Sequence, residues 1–152
     1  MEENCKEVFR MSPIVKAFLG SLAMVVFAGT SMARAGDTPQ KAAETAAEAW
    51  LALVDSSDYA ASWEEAAEIF KAHVNKEQWE KAARSTREPL GRLISRKFSS
   101  AQYTKQLPGV PDGEYVVIQY ESSFENKSSA VETVTPALDK DGKWRVSGYF
   151  IR

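Results

Sequence analysis

The feature that most constrains this chain is a change of hydrophobic period at Pro89-Leu90-Gly91. Upstream of it apolar residues recur at helical spacing; downstream they alternate. A chain that changes once from a 3.6-residue to a two-residue period builds helices first and an antiparallel sheet second, and one sheet face takes the helices. The expected class is therefore α+β, with three N-terminal helices packed on one face of a four-stranded antiparallel meander.

Each helix carries its own punctuation. Thr38-Pro39 reads as an N-cap followed by proline at the first helical position. Ala43, Ala47, Trp50, Leu51 and Val54 then form one apolar stripe that ends near Asp55-Ser56-Ser57. Asp58 caps a second helix, with capping-box spacing from Ser62 to Glu65 one turn later. Its stripe is Trp63, Ala66, Ala67, Phe70 and Val74, ending around His73. Asn75 and Gln78 open a third helix through Trp79, Ala82 and Ala83, which Glu88-Pro89 stops because a residue before proline avoids the α region. One tryptophan per apolar face makes the three indoles core side chains.

After Gly91, Ile94, Arg96 and Phe98 share a face in a strand running to about Leu107. The loop Pro108 to Gly113 is dense in turn residues. Val116, Ile118 and Tyr120 share a face in the strand Tyr115 to Phe124, and Glu125 to Ser128 turns the chain again. The last strands are Ala130 to Leu138 and Lys143 to Ile151, joined at Asp139-Lys140-Asp141-Gly142, which suits a type I turn closed by a left-handed glycine. That turn pairs Leu138 with Trp144, Pro136 with Val146, Val134 with Gly148 and Glu132 with Phe150. One hairpin face is then apolar apart from Glu132. The other carries Thr133, Thr135, Arg145, Ser147 and Tyr149.

The first 35 residues read as a signal peptide: Lys16, an apolar run from Ala17 to Gly29, and small residues at Ala33 and Ala35 that direct cleavage before Gly36. Met11 is a tidier start than Met1, whose following residues add acids that such a segment does not want. The alternative is an uncleaved N-terminal anchor. Residues 36–152 then form a single domain with no stable membrane span, in the periplasm or outside the cell. They carry 15 Lys and Arg against 18 Asp and Glu, which argues against a nucleic-acid partner. The single cysteine, Cys5, precedes the apolar run, so the domain is held by its core and not by a disulfide.

Several separated motifs carry a resemblance. They are W-L-A-L-V-D-x-x-D-Y-x-x-S-W from Trp50 to Trp63, K-E-Q-W from Lys76 to Trp79 and P-L-G from Pro89 to Gly91, with P-x-x-P-D-G-x-Y-V-V from Pro108 to Val117 and D-G-K-W-R-V-x-G-Y from Asp141 to Tyr149. Together they resemble the bacterial family termed domain of unknown function 4019, over roughly Ala42 to Arg152. The resemblance implies a small exported bacterial protein, and it carries no reaction and no catalytic residue. The architecture is also similar to nuclear-transport-factor-2-like and cystatin-like folds, which host enzymes and binding domains alike.

The sharpest candidate site is Glu132 with Arg96, beside Tyr120 and Phe150. A carboxylate and a guanidinium sharing parity with apolar neighbours make either a ligand-binding set or a satisfied ion pair. A second candidate is the polar sheet face with Arg145 and Tyr149, since tyrosine and arginine are favoured at interfaces. No metal or cofactor is expected: His73 is the only histidine, and its place near a helix C-terminus is explained by the helix dipole. Ser62, Ser85 and Ser95 lack a nucleophile-elbow context. The expectation is a non-enzymatic binding domain that takes a protein partner or a small molecule in the helix–sheet groove or on the sheet face, with a homodimer through an exposed sheet edge as one form. The competing expectation is a small enzyme, isomerase- or hydrolase-like, with Glu132 as general base and Tyr120 or Arg96 polarising the substrate.

Overall fold

The computed structural model describes residues 38–152. The expected signal peptide and its cleavage site lie outside the described residues. The elements run α1 (Pro39–Asp55), α2 (Tyr59–Glu64), α3 (Glu68–His73), α4 (Lys76–Arg87) and a 3₁₀ turn (Glu88–Leu90). The strands follow as β1 (Leu93–Thr104), β2 (Tyr115–Phe124), β3 (Lys127–Leu138) and β4 (Trp144–Ile151). They form one antiparallel sheet in the order β1-β2-β3-β4, so the class is α+β as the change of period requires. Among the described residues no helix is long and apolar enough to cross a membrane.

The caps follow the sequence. The Thr38 hydroxyl accepts from the Lys41 backbone and Pro39 opens α1. Asn75 and Gln78 complete a reciprocal capping box on α4. The expected second helix is two helices, α2 and α3. Ser62 is no cap: it is fully buried, with its hydroxyl donating to the Tyr59 carbonyl. Between the two helices the Ala67 N–H donates to the Val146 carbonyl of β4 at 2.8 Å. The helix therefore breaks where its backbone satisfies the sheet edge. Asp139, from the β3–β4 turn, then accepts from the Glu68 N–H at the start of α3. The stripe Ala66-Ala67-Phe70-Val74 is real, but it serves a bend and a short helix.

Ser62 is a hub for the tryptophans. Its carbonyl accepts from the Trp50 indole N–H at 2.7 Å and its hydroxyl from the Trp79 indole at 2.9 Å. Trp63 donates to the Val74 carbonyl at 2.8 Å, closing α2 onto α3. The rings of Trp50 and Trp79 lie 5.5 Å apart, and both contact Tyr149 edge-on. With Leu51, Val54, Val116, Ile118, Val134 and Val146 they form the core. On α4 the buried positions are Trp79, Ala83 and Arg87, and Ala82 is exposed.

Register shifts interrupt both β1 and the final hairpin. In β1 the pairing shifts between Leu93 and Ser95 and again between Phe98 and Ser100. Ile94 is the extra residue of the first shift and stands 62% exposed instead of facing the helices. β1 also stops at Thr104, short of Leu107. In the final hairpin the turn forms as expected, with Gly142 at φ 77° and Leu138 paired with Trp144. The register then shifts between Thr135 and Pro136, so Ser147 is bulged, Val134 faces Tyr149 and Glu132 faces Ile151. Pro136 is the physical reason. A proline offers the ladder no N–H, and within a sheet it is accommodated at a bulge. One residue of slip carries Tyr149 to the helix side and leaves Phe150 61% exposed, correcting both placements.

Candidate functional site

Glu132 lies at the centre of the molecule's one buried ionic cluster among the described residues, and it is 0% exposed. Arg96, on β1, grips it bidentately, Nε to Oε2 at 2.7 Å and Nη2 to Oε1 at 3.0 Å. The same guanidinium grips Asp55, the last residue of α1, at 2.7 and 3.0 Å. Arg87, the last residue of α4, donates to Asp55 at 2.7 Å and places Nη1 3.7 Å from Glu132. Its guanidinium also sits 4.4 Å from the centroid of the Phe124 ring, a cation–π contact. Ser122 Oγ donates to Glu132 Oε2, and Tyr149 Oη donates to Oε1 at 2.6 Å.

This arrangement is balanced in two ways. Two carboxylates face two guanidiniums, so the cluster carries no net formal charge. A carboxylate offers about four lone-pair sites. Each Glu132 oxygen already accepts two hydrogen bonds, so the acceptor capacity is used. Burial pushes the Glu132 pKa up, but the Arg96, Ser122 and Tyr149 donors outweigh it and hold the carboxyl below its ordinary value. Burial and the adjacent Glu132 carboxylate raise the Tyr149 phenol far above its ordinary range.

The sequence pairing of Arg96 with Glu132 is therefore present, although β2 separates their strands. Tyr120 is the cross-strand neighbour of Glu132, but its hydroxyl does not join the cluster. It is buried without a hydrogen-bond partner among the described residues, and burial with the nearby Glu48 and Glu44 raises its pKa to about 12. Arg145 is half-buried and braces the final turn, donating to Asp139 at 2.8 Å and to Asp141 at 2.8 and 2.9 Å. Arg145 and Tyr149 thus do not share a surface. Asp55, Arg87 and Ser122 were not singled out from sequence. Their signals were there: Trp79, Ala83 and Arg87 recur every fourth residue, and Ser122 has the parity of Val116, Ile118 and Tyr120.

Among the described residues, two surface hollows stand out. The smaller, about 230 Å³, lies beside Asp55, Arg87, Arg92 and Glu125. Its charges are paired: Arg87 with Asp55, Arg92 with Glu125 at 2.6 Å, and Glu88 with Arg84 outside the hollow. The larger, about 460 Å³, is a groove between α3, the loop after β1 and the β3–β4 bulge. Ile69, Phe70 and Val74 form one wall, Leu107 and Val110 the other, with Thr135, Ser147 and Gly148 as the floor and His73 at the rim. Glu132 lines neither hollow.

The fold and the places just described define a small α+β domain with Glu132 enclosed in an ionic cluster that reaches the surface at Asp55, and an apolar groove elsewhere on the outside. Residues 46–149 match the family described as Protein of unknown function (DUF4019), and the chain belongs to that family. No curated protein and no solved structure matches it.

Proposed function

We propose that this chain is an exported, non-enzymatic binding domain that takes a small apolar molecule in the groove between α3 and the sheet. The observation that carries the reading is the groove itself: about 460 Å³, walled by Ile69, Phe70, Val74, Leu107 and Val110. That volume falls within the range of small-molecule sites, roughly 300–1,000 Å³, and such sites are mostly apolar with a few polar groups. The competing enzyme reading asks Glu132 to take a proton from a substrate. The enclosure of Glu132 and its filled acceptor sites favour a structural role for it. Export is supported by the composition of residues 1–35, with cleavage before Gly36 placing the domain in the periplasm or outside the cell.

The test is a titration with the uncharged fluorescent probe N-phenyl-1-naphthylamine. The reading expects saturable binding of one probe per chain, lost when Val110→Glu puts a charge into the wall. Absence of saturable binding, or binding unmoved by V110E in a folded variant, overturns it. N-terminal sequencing of protein recovered from the cell envelope fraction tests export, and Gly36 is the expected first residue.

A further inference from the structure

Gly148 stands in the floor of the groove, next to the bulged Ser147. Its backbone is not in the left-handed region, unlike that of Gly91, Gly109 and Gly142. A Cβ built on it would meet the Thr135 side chain at 3.7 and 4.0 Å, which is ordinary van der Waals contact. Glycine also weakens a strand relative to β-branched residues. The missing side chain is therefore open space at the groove floor, on the side where Thr135 also lines it. A glycine inside a strand marks a bulge or a close approach by a ligand or another backbone. The bulged residue here is Ser147, and the backbone and packing at Gly148 accept a side chain, which leaves its bare backbone open to close approach.

The polar groups of the groove narrow what that is. Among the described residues lining it there is no carboxylate, no lysine and no arginine; His73 is the one ionisable side chain apart from the Tyr115 phenol. Tyr115 is committed, donating to the Pro111 carbonyl at 2.8 Å. Ser147 is committed as well, donating to the Thr135 carbonyl at 2.7 Å. His73 is half committed. Its Nδ1 lies 2.8 Å from the Ile69 carbonyl, which accepts and so fixes Nδ1 as the ring's donor. Nε2 is left for a ligand, on an exposed side chain at the rim. An acidic O–H is the partner that suits Nε2 in either charge state. A neutral imidazole accepts from the acid, and an imidazolium donates to its conjugate base.

Taking the groove reading above as its basis, we infer that the ligand is a small apolar acid, a carboxylic acid with a hydrocarbon body. The body lies on Gly148 between Phe70 and Val110, and the acid group meets His73 Nε2. A cationic amphiphile finds no counter-charge there, and a neutral hydrocarbon leaves His73 unused.

The experiment compares two probes of the same body, cis-parinaric acid and its methyl ester, on the wild-type protein, His73→Ala and Gly148→Val. Saturable binding of the acid is expected, with the ester about fivefold weaker, the worth of one partly exposed charge-assisted hydrogen bond. H73A is expected to weaken the acid by about the same fivefold and to leave the ester within about twofold. G148V is expected to abolish both while retaining the far-ultraviolet spectrum and thermal midpoint. Equal binding of acid and ester, or loss of both to the same degree in H73A, overturns the acid assignment and leaves the groove reading standing. Full binding of both probes to folded G148V overturns the placement on the groove floor. No binding of either probe to wild type overturns the groove reading itself.

Discussion

Glu132 and Arg96 stand on strands that are not neighbours in the sheet, and two hydrogen bonds of 2.7 and 3.0 Å join them across β2. The bridge works because β1 is the edge strand and a long guanidinium can reach inward from it, while Ser122 on the intervening strand donates to the same carboxylate. Asp55 and Arg87 complete the set from the ends of α1 and α4, so the cluster ties both helix ends to the sheet. Breaking one member of such a buried set leaves a charge without its partner, which costs more than the set as a whole contributes.

Two tyrosines separate the structural account from the catalytic one. Tyr149→Phe removes a donor to a buried carboxylate and should destabilise the protein by about 1–3 kcal/mol. Tyr120→Phe removes a hydroxyl that is buried without a partner, and should be neutral or stabilising. Urea unfolding of the two variants checks the pair. An enzyme that used Tyr120 to polarise its substrate would reverse their importance for function.

Acid should unfold the domain through Glu132. Its folded pKa lies below its unfolded value, so its contribution is complete above the ordinary glutamate value of about 4.3 and is lost as pH falls through the lowered folded value. Asp141, drawn down to about 2 chiefly by the Arg145 hydrogen bond, acts in the same direction. The urea midpoint should therefore fall between pH 5 and pH 2.5. Glu132→Gln should lower stability at pH 7 by about 3–5 kcal/mol, the cost of leaving buried charge unpaired, and should flatten the acid slope.

Ser62→Ala should cost about 1–3 kcal/mol by leaving the Trp79 indole N–H unpaired in the core, and should leave the Trp50 bond to the Ser62 carbonyl in place. Tryptophan fluorescence during urea unfolding reads both the loss of stability and any change around Trp79.

Gly91 and Gly142 share a left-handed backbone and differ in surroundings. Alanine at either position carries the left-handed penalty of roughly 1–2 kcal/mol. At Gly91 a Cβ would also stand 2.9 Å from the Glu125 side chain, whereas at Gly142 it meets open space. Gly91→Ala should therefore lower the thermal midpoint more than Gly142→Ala, and calorimetry on the two variants measures the difference.

How much of this was legible follows from the kind of signal each feature leaves. The caps at Thr38 and Asn75 and the turn at Asp139 to Gly142 are local chemistry, and they stand where the sequence puts them. The α2–α3 break is a tertiary event: Ala66-Ala67 continues a helical pattern, and only the free edge of β4 gives the Ala67 N–H a better partner. The slip of the final hairpin was written in Pro136, a proline inside an interior strand, which calls for a bulge. Reading that proline would have moved Tyr149 inward and Phe150 outward. Arg87 and Ser122 lie on the right periodicities, but charged and hydroxyl side chains are ordinarily exposed, so periodicity alone does not mark them as buried. The groove left no periodic signal. It is assembled from a loop, a six-residue helix and a bulge, whose sequences do not say that they meet.

The molecule encloses Glu132 in its ionic cluster and opens a groove elsewhere, and amide chemical shifts of the isotope-labelled protein, followed during titration with cis-parinaric acid, test directly which of the two takes the ligand. The predicted result is saturable movement at Ile69 to Val74, Leu107 to Val110 and Ser147-Gly148, with Ser122 and Glu132 unmoved. Movement centred on Arg96, Ser122 and Glu132, with the groove still, would contradict it.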